Sequence, residues 1–321
     1  MEKRRLGRTD IEITPIGLGC WQFSNAVGLA GRFWPSLDEV DSRTIIKTAL
    51  DRGINWFDTA EVYGWGVSEE RVSDGLCAAN VLPGEVVIAT KWYPLFRTAG
   101  SITRTIGDRK GRLAPYPIDL HQVHFPAALA TIPAQMKAMA KLVDRGEIRA
   151  VGVSNFSADQ MRRAHAALHD HGLVLASNQV EYSLLKRGVE SNGVMETAKE
   201  LGITLIAYSP LAQGLLSGKF HDNPDLVRQR VGWRKFMRAF KRKGLERSRP
   251  VVEVLRRIAQ KHGVTASQVA LNWLVHFHGE TVVAIPGATR PRQAEQNAGA
   301  LAFTLEEREL AEIDEASQAF L

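Results

Sequence analysis

An alternation runs the length of this chain and leaves few folds open to it: short runs rich in β-branched residues separated by longer amphipathic stretches. The apolar runs fall at 16–20, 54–57, 86–90, 118–123, 149–153, 177–181, 203–208 and 282–285. Repeated strand–helix units of this kind build a parallel sheet, and eight strands is the number that closes a (β/α)8 TIM barrel. An open doubly wound sheet would suit the same pattern, but no G-x-G-x-x-G follows the first run. The expectation is therefore an α/β barrel, with the residues before Ile16 forming a short hairpin outside it. At 321 residues the whole chain, 1–321, fits one such domain.

The stretches between the runs carry helix-start signals. Ser36-x-x-Glu39, Ser157-x-x-Gln160, Thr265-x-x-Gln268 and Thr304-x-x-Glu307 each read as a capping box. In the first helix Ile45, Ile46, Ala49 and Leu50 share one side, while Asp41, Arg43 and Lys47 face water. Two connections are unusually long, 21–37 and 210–250, and long loops in compact domains often carry function.

Composition narrows the function classes. With 45% hydrophobic and 24% charged residues the chain can bury a full core. The N-terminal MEKRRLGRTD lacks the apolar stretch of a signal peptide, and no later segment is long and apolar enough to span a bilayer, so a cytoplasmic protein is expected. Cys20 and Cys77 are too few for a disulfide scaffold or a zinc site; reduced thiols and no metal are expected. The formal charge of +6 is local: 221–249 holds ten Lys or Arg against three Asp or Glu, +7 by itself. No nucleic-acid reading motif accompanies it, and nucleic acid is not an expected partner.

In a barrel the chemistry sits at the C-terminal ends of the strands. Asp58 and Tyr63 in FDTAEVYG, Lys91 in VVIATK and His124 in DLHQVHFP follow the second, third and fourth runs and therefore neighbour one another. A carbonyl that accepts hydride needs a proton donor, which a phenol can be. Tyrosine is a weak acid, with a pKa of about 10. An adjacent Lys91 ammonium is expected to lower that value, with Asp58 holding the lysine charged and His124 polarising the substrate oxygen.

FDTAEVYG, ATKW, VHFP, GVSNF, NQVEYS, YSPLAQGLLSGK and PGATRPRQAEQN, in that order, resemble the aldo-keto reductase superfamily across nearly the whole chain. The resemblance implies that Asp58, Tyr63, Lys91 and His124 are a catalytic tetrad, with the tyrosine as acid in reduction and base in oxidation, and that the 4-pro-R hydride of a nicotinamide is transferred. It further implies that Ser154, Asn155 and Gln179 bind the carboxamide and that Tyr208 stacks under the ring. Ser209, Pro210, Leu211, Gly214 and Lys219 match the pyrophosphate loop, and Cys20, Trp21 and Asp58 also border the cofactor. Gly287, Thr289, Arg290, Gln293, Gln296 and Asn297 match the adenosine end. Many relatives have lysine, serine and arginine in that stretch; here Gly287, Ala288, Gln293 and Gln296 depart from the pattern. Recognition of a 2′-phosphate then rests on Thr289 and Arg290, which favours NADP(H) and leaves NAD(H) as the alternative.

Aromatic residues crowd the same end: Trp21, Phe23, Phe33, Trp34, Trp65, Trp92, Tyr93, Phe96 and Phe125. Trp21, Trp34, Trp65, Trp92 and Phe125 are expected to wall a substrate pocket for a small aldehyde or ketone, or for an alcohol if the reaction runs as a sugar, polyol or vitamin-B6-like dehydrogenase. YSPLAQGLLSGK and PGAT also resemble the potassium-channel β-subunit branch, a binding class. That branch commonly has asparagine where His124 stands, which favours the enzyme. Trp233, Phe236, Met237 and Phe240 recur at helical spacing within the basic segment. A short amphipathic helix is expected there, packed on the barrel or closing as a lid over the cofactor, with a membrane surface or an acidic protein as the alternative partner of its basic face.

Overall fold

The computed structural model describes residues 2–25, 36–229 and 237–321. Its strands are β1 (Arg4–Arg5), β2 (Glu12–Ile13), β3 (Leu18–Gly19), β4 (Trp56–Asp58), β5 (Val87–Trp92), β6 (Ile118–Val123), β7 (Ile148–Ser154), β8 (Leu175–Glu181), β9 (Thr204–Tyr208) and β10 (Val282–Ala284). β3 to β10 lie side by side in chain order, each pair parallel. The two edges meet through parallel bridges from Ile16 to Ala284 and from Gly19 to Gly287. The Gly17 N–H donates to the Ala284 carbonyl at 2.8 Å, and the eight strands form the expected barrel.

Two cores flank this sheet. Outside it, Ile45, Ile46, Val72, Leu76, Met136, Met139, Leu255 and Trp273 belong to the layer between strands and helices. Inside it, Trp56, Ala89, Leu120, Ala150, Ala176, Ile206 and Val283 pack with Leu6, Ile11 and Ile13. The latter three come from the antiparallel β1–β2 hairpin, which plugs the N-terminal end of the barrel. A Cβ at Gly17 would lie 2.3 Å from the Trp56 ring, so that ring fits only beside a glycine. With the lower end plugged, the opposite end alone is left for a ligand.

Two of the four expected capping boxes form as read, at Ser157–Gln160 and Thr265–Gln268. The other two shift by two residues. Asp38, not Ser36, caps Glu39–Asp51 by accepting from the Asp41 N–H, and Glu306, not Thr304, pairs with Glu309 ahead of Glu307–Ser317. A carboxylate caps as well as a hydroxyl and adds a favourable charge at the helix N-terminus. The 210–250 connection is also more structured than expected. It contains the turns Ala212–Ser217, Lys219–Asp222, Pro224–Val227 and Arg238–Phe240, followed by a helix from Arg242 to His262 that runs through Pro250. Proline forfeits one helical hydrogen bond, but the buried face Leu245, Val251, Val252, Leu255 and Ile258 holds that helix in place. Of the expected amphipathic segment, Trp233 and Phe236 lie outside the described residues. Phe240 packs edge-on against Phe220 at 5.3 Å, in a small cluster with Leu215, Val227 and Leu245. No helix among the described residues is long and apolar enough to cross a membrane.

Candidate active site

Strand alternation places every second side chain inside the barrel. Trp56, Ala89 and Leu120 belong to the inner apolar core. Two residues further along the same strands stand Asp58, Lys91 and Gln122, all buried. A polar layer thus rests on an apolar floor, where charges are weakly screened and must be paired.

Lys91 donates to the Asp58 carboxylate, to the Thr59 carbonyl at 2.9 Å and to the Tyr63 hydroxyl at 3.5 Å. The second Asp58 oxygen accepts from Gln179 Nε2 at 2.8 Å and from Gln122 Nε2 at 3.1 Å. Burial by itself would lower the Lys91 pKa, but Asp58 and Tyr63 outweigh it and hold the ammonium above its ordinary value. For Tyr63 the balance falls the other way. Burial raises the phenol, and the opposing pull of Lys91 does not cancel it, so the pKa is raised where the sequence had suggested a lowered one. Desolvation wins because the half-buried ring is packed on its sides, stacked on Trp21 at 5.9 Å and edge-on to His124 at 5.6 Å. His124 is held well below the usual histidine range by burial and by the Lys91 charge. At neutral pH the set is a protonated phenol, a neutral imidazole and a charged lysine.

A cavity of about 1190 Å³ opens above this layer. Asp58, Tyr63 and His124 line it; Lys91 lies beneath, screened by Tyr63. Cys20, Trp21, Ser154, Asn155, Gln179, Tyr208, Ser209, Pro210, Leu211, Gly214, Lys219, Gly287, Thr289, Arg290 and Gln293 all reach its wall. Gln296 and Asn297 do not, although the Asn297 Nδ2 is buried without a partner. Side chains are fixed by one another: Tyr208 donates to Asn155 Oδ1 at 3.1 Å, Asn155 to Ser154 Oγ at 3.1 Å, and Ser154 to the Gln179 carbonyl at 2.9 Å. Gln293 Oε1 accepts from the Thr289 N–H at 2.7 Å, which leaves its Nε2 to face a ligand. Among the described residues, Asn25, Trp65, Phe96, Asn155, Ser209, Ala212, Gln213 and Asn80 are the non-glycine residues with positive φ. All but Asn80 follow strand C-terminal ends, and held strain of this kind gathers at ligand sites.

The aromatic expectations divide. Trp21, Trp65 and Phe125 line the cavity, and Trp34 lies outside the described residues. Trp92 does not serve the pocket. As the residue after inward-facing Lys91 it points outward into the strand–helix core, where its indole N–H donates to Ser101 Oγ at 3.0 Å. Tyr93 takes the position instead, edge-on to Phe125 at 5.3 Å and to Trp65 at 6.0 Å. Its backbone N–H is fixed by Glu61, itself held by Arg97 and Arg109. Tyr93 stands in the sequence only among the aromatics of this end, not among the expected wall residues, and Gln22 and Gln122 are not singled out there at all. Alternation along IDLHQV marks Gln122 as the inward polar residue above Leu120, a signal that was available. Nothing in the sequence marks Gln22, whose buried Oε1 lacks a partner and whose amide packs against Gly287, within 2.1 Å of where a Cβ would stand.

The wall can accommodate a dinucleotide. Apart from Asp58, its charged side chains among the described residues, Lys219 and Arg290, are both cationic; glycines 19, 214 and 287 give the backbone close approach; and Gln22 presents an unsatisfied acceptor.

The family model described as "Aldo/keto reductase family" matches residues 15–318. A probable aldo-keto reductase of Glycine max is 33% identical, over 97% of this chain and 88% of that protein. The chloroplastic pyridoxal reductase of Arabidopsis thaliana is 33% identical, over 96% and 84%. Among solved structures, the glycerol dehydrogenase of Gluconobacter oxydans superposes with a TM-score of 0.83 at 26% identity, covering 99% of this chain and 96% of that one. A thermostable aldo-keto reductase in complex with the inhibitor epalrestat gives 0.79 at 28%, covering 98% and 100%.

Proposed function

This chain belongs to the aldo/keto reductase family, and on that premise we propose that it is an NADP(H)-dependent oxidoreductase that reduces an aldehyde or ketone, with Tyr63 as the proton donor. The carrying observation is the buried Asp58–Lys91–Tyr63 chain that surfaces beside His124 on a cavity floor. When bound, reduced nicotinamide supplies the hydride that no side chain here can. Tyr63 gives its proton to the carbonyl oxygen as carbon–hydride bonding develops, and Lys91, held by Asp58, stabilises the phenolate left behind. Neutral His124 orients the oxygen by donating a hydrogen bond. Run in reverse, the deprotonated phenol removes the alcohol proton.

Ser154, Asn155, Gln179 and Tyr208 are the residues that would hold the nicotinamide, Lys219 and the 209–214 loop the pyrophosphate, and Thr289 with Arg290 a 2′-phosphate. Leu226 and Gln229 line the cavity beside Lys219, so the basic segment begins as part of its wall. Trp21, Trp65, Tyr93 and Phe125 favour an apolar or aromatic carbonyl. A second reading, oxidation of a polyol or a vitamin-B6-like alcohol, is favoured by the likeness to the glycerol dehydrogenase, whereas the pyridoxal reductase, named for reduction of an aldehyde, favours the first. Both readings are tested by titrating the protein with NADPH and NADH and following nicotinamide absorbance against panels of aldehydes and alcohols. NADPH consumed fastest with aromatic aldehydes supports reduction; turnover confined to alcohols with the oxidised cofactor supports the second reading; failure to bind either nucleotide sinks both. With (4R)-deuterated NADPH the label should appear in the alcohol product.

A further inference from the structure

We infer that Gln122, a fully buried residue that does not reach the cavity, is a positioning residue that fixes the polarity of the Gln179 amide and completes the Asp58 carboxylate. The inference rests on the functional reading above and concerns how the cofactor and the tetrad are coupled.

The three side chains form a closed triangle. Gln122 Nε2 donates to Asp58 Oδ2 at 3.1 Å, Gln179 Nε2 donates to the same oxygen at 2.8 Å, and Gln122 Oε1 accepts from Gln179 Nε2 at 3.4 Å. Asp58, paired with Lys91, is an acceptor only, so each glutamine must turn its nitrogen toward it. Both N–H groups of Gln179 are then directed at protein partners. Its carbonyl oxygen is left for the cavity that Gln179 lines, an acceptor suited to the N–H of a ligand carboxamide. Without Gln122 the second Gln179 N–H loses its acceptor and Asp58 loses one of its two amide donors. One residue therefore links the group that would read the nicotinamide to the carboxylate that holds Lys91.

Gly152 supports the assignment independently. A Cβ there would lie 2.9 Å from Gln122 Cγ and 2.4 Å from Ser177 Oγ, so the neighbouring strand leaves the space through which the Gln122 stem crosses the barrel. An apolar side chain of equal volume would fill that space without holding either partner, which separates positioning from packing.

The test compares wild type with Gln122→Leu and Gln122→Glu, each checked for folding by thermal melting. NADPH affinity is read by fluorescence titration, and kcat and KM for one aldehyde are measured across pH. Gln122→Leu should weaken NADPH by about two- to tenfold, one hydrogen bond's worth, and should lower kcat more than it changes the aldehyde KM. Gln122→Glu has the same shape. Protonated, it donates to Asp58 and accepts from Gln179; ionised, it repels Asp58. It should approach wild type at acid pH and lose both NADPH affinity and kcat as pH rises, through an ionisation that wild type lacks. Wild-type affinity, kcat and pH profile in both variants would overturn the assignment. Should Gln122→Leu fail to fold, the pH-dependent rescue in Gln122→Glu decides alone, and a flat profile there counts against it. A wild-type protein that neither binds NADPH nor turns over any carbonyl would remove this inference together with the functional reading.

Discussion

Burial raises the Tyr63 pKa against the pull of Lys91, and this direction has a definite sign in kinetics. On the proposed mechanism reduction needs the protonated phenol, so its rate should stay level through neutral pH and fall only in alkali, while alcohol oxidation should climb with pH; pH profiles in the two directions check this. A reduction rate that falls through neutrality would contradict the desolvation of Tyr63. The partners of Tyr63 are legible in the sequence, because Asp58, Lys91 and His124 stand at ends of adjacent strands. The direction of its pKa is not, because a letter string names the neighbouring ammonium but not how far the ring is desolvated. The same holds for Trp92, whose side of the strand follows from the parity of Lys91, which aromatic content alone does not reveal. Lys91→Met removes the charge proposed to stabilise the phenolate and should lower kcat by about 10²-fold or more, measured under single turnover. If Arg290 holds the 2′-phosphate as proposed, Arg290→Ala should weaken NADPH by about 10- to 100-fold and leave NADH nearly unchanged, since only NADPH offers that charge-assisted contact. Equal losses for both nucleotides would assign Arg290 to the fold.

Whole elements were more legible than their edges. All eight barrel strands fall on runs read from the sequence, since β-branched clusters between helical stretches have one economical arrangement. Helix starts shifted where a carboxylate stood near a hydroxyl, because Asp38 and Glu306 cap as well as Ser36 and Thr304 do. The hairpin was foreseen, but its role as a plug depends on Leu6, Ile11 and Ile13 entering the inner core, a long-range contact no local pattern encodes. Ile13→Ala should therefore destabilise the fold by about 2 to 5 kcal/mol, seen as a lower urea midpoint, without changing kcat at low temperature. An unchanged midpoint would mean that the barrel floor does not depend on it. The basic segment makes a further prediction. Because Leu226 and Gln229 line the cavity, saturating NADPH should slow tryptic cleavage at Arg228. Equal rates with and without the nucleotide would separate this segment from the cofactor.

At the scale of the molecule, the C-terminal helix is tied back to the barrel by a buried cation. Arg187 binds Glu190 and Asp314, each at 2.6 Å, and stacks over Trp273 at 5.0 Å. Burial would raise the Glu190 carboxyl, but its bonds from Arg187 and Tyr182 prevail and hold it down to about 2. An unfolded glutamate titrates near a pKa of about 4.3. The clamp's contribution is thus complete above that value and disappears as pH falls toward 2, about 3 kcal/mol over the interval. Urea midpoints measured between neutrality and pH values near 3 should show the loss, and Glu190→Gln should flatten that acid limb; an identical limb in the variant would place the acid sensitivity elsewhere. Tyr63→Phe decides whether this cavity carries out nicotinamide-dependent carbonyl reduction with Tyr63 as the acid, as proposed. NADPH affinity and carbonyl turnover are measured on the same preparation, with chemistry rate-limiting. Affinity should be unchanged and turnover reduced by about 10²- to 10⁴-fold; a variant that keeps more than about a tenth of wild-type turnover would rule out Tyr63 as the acid.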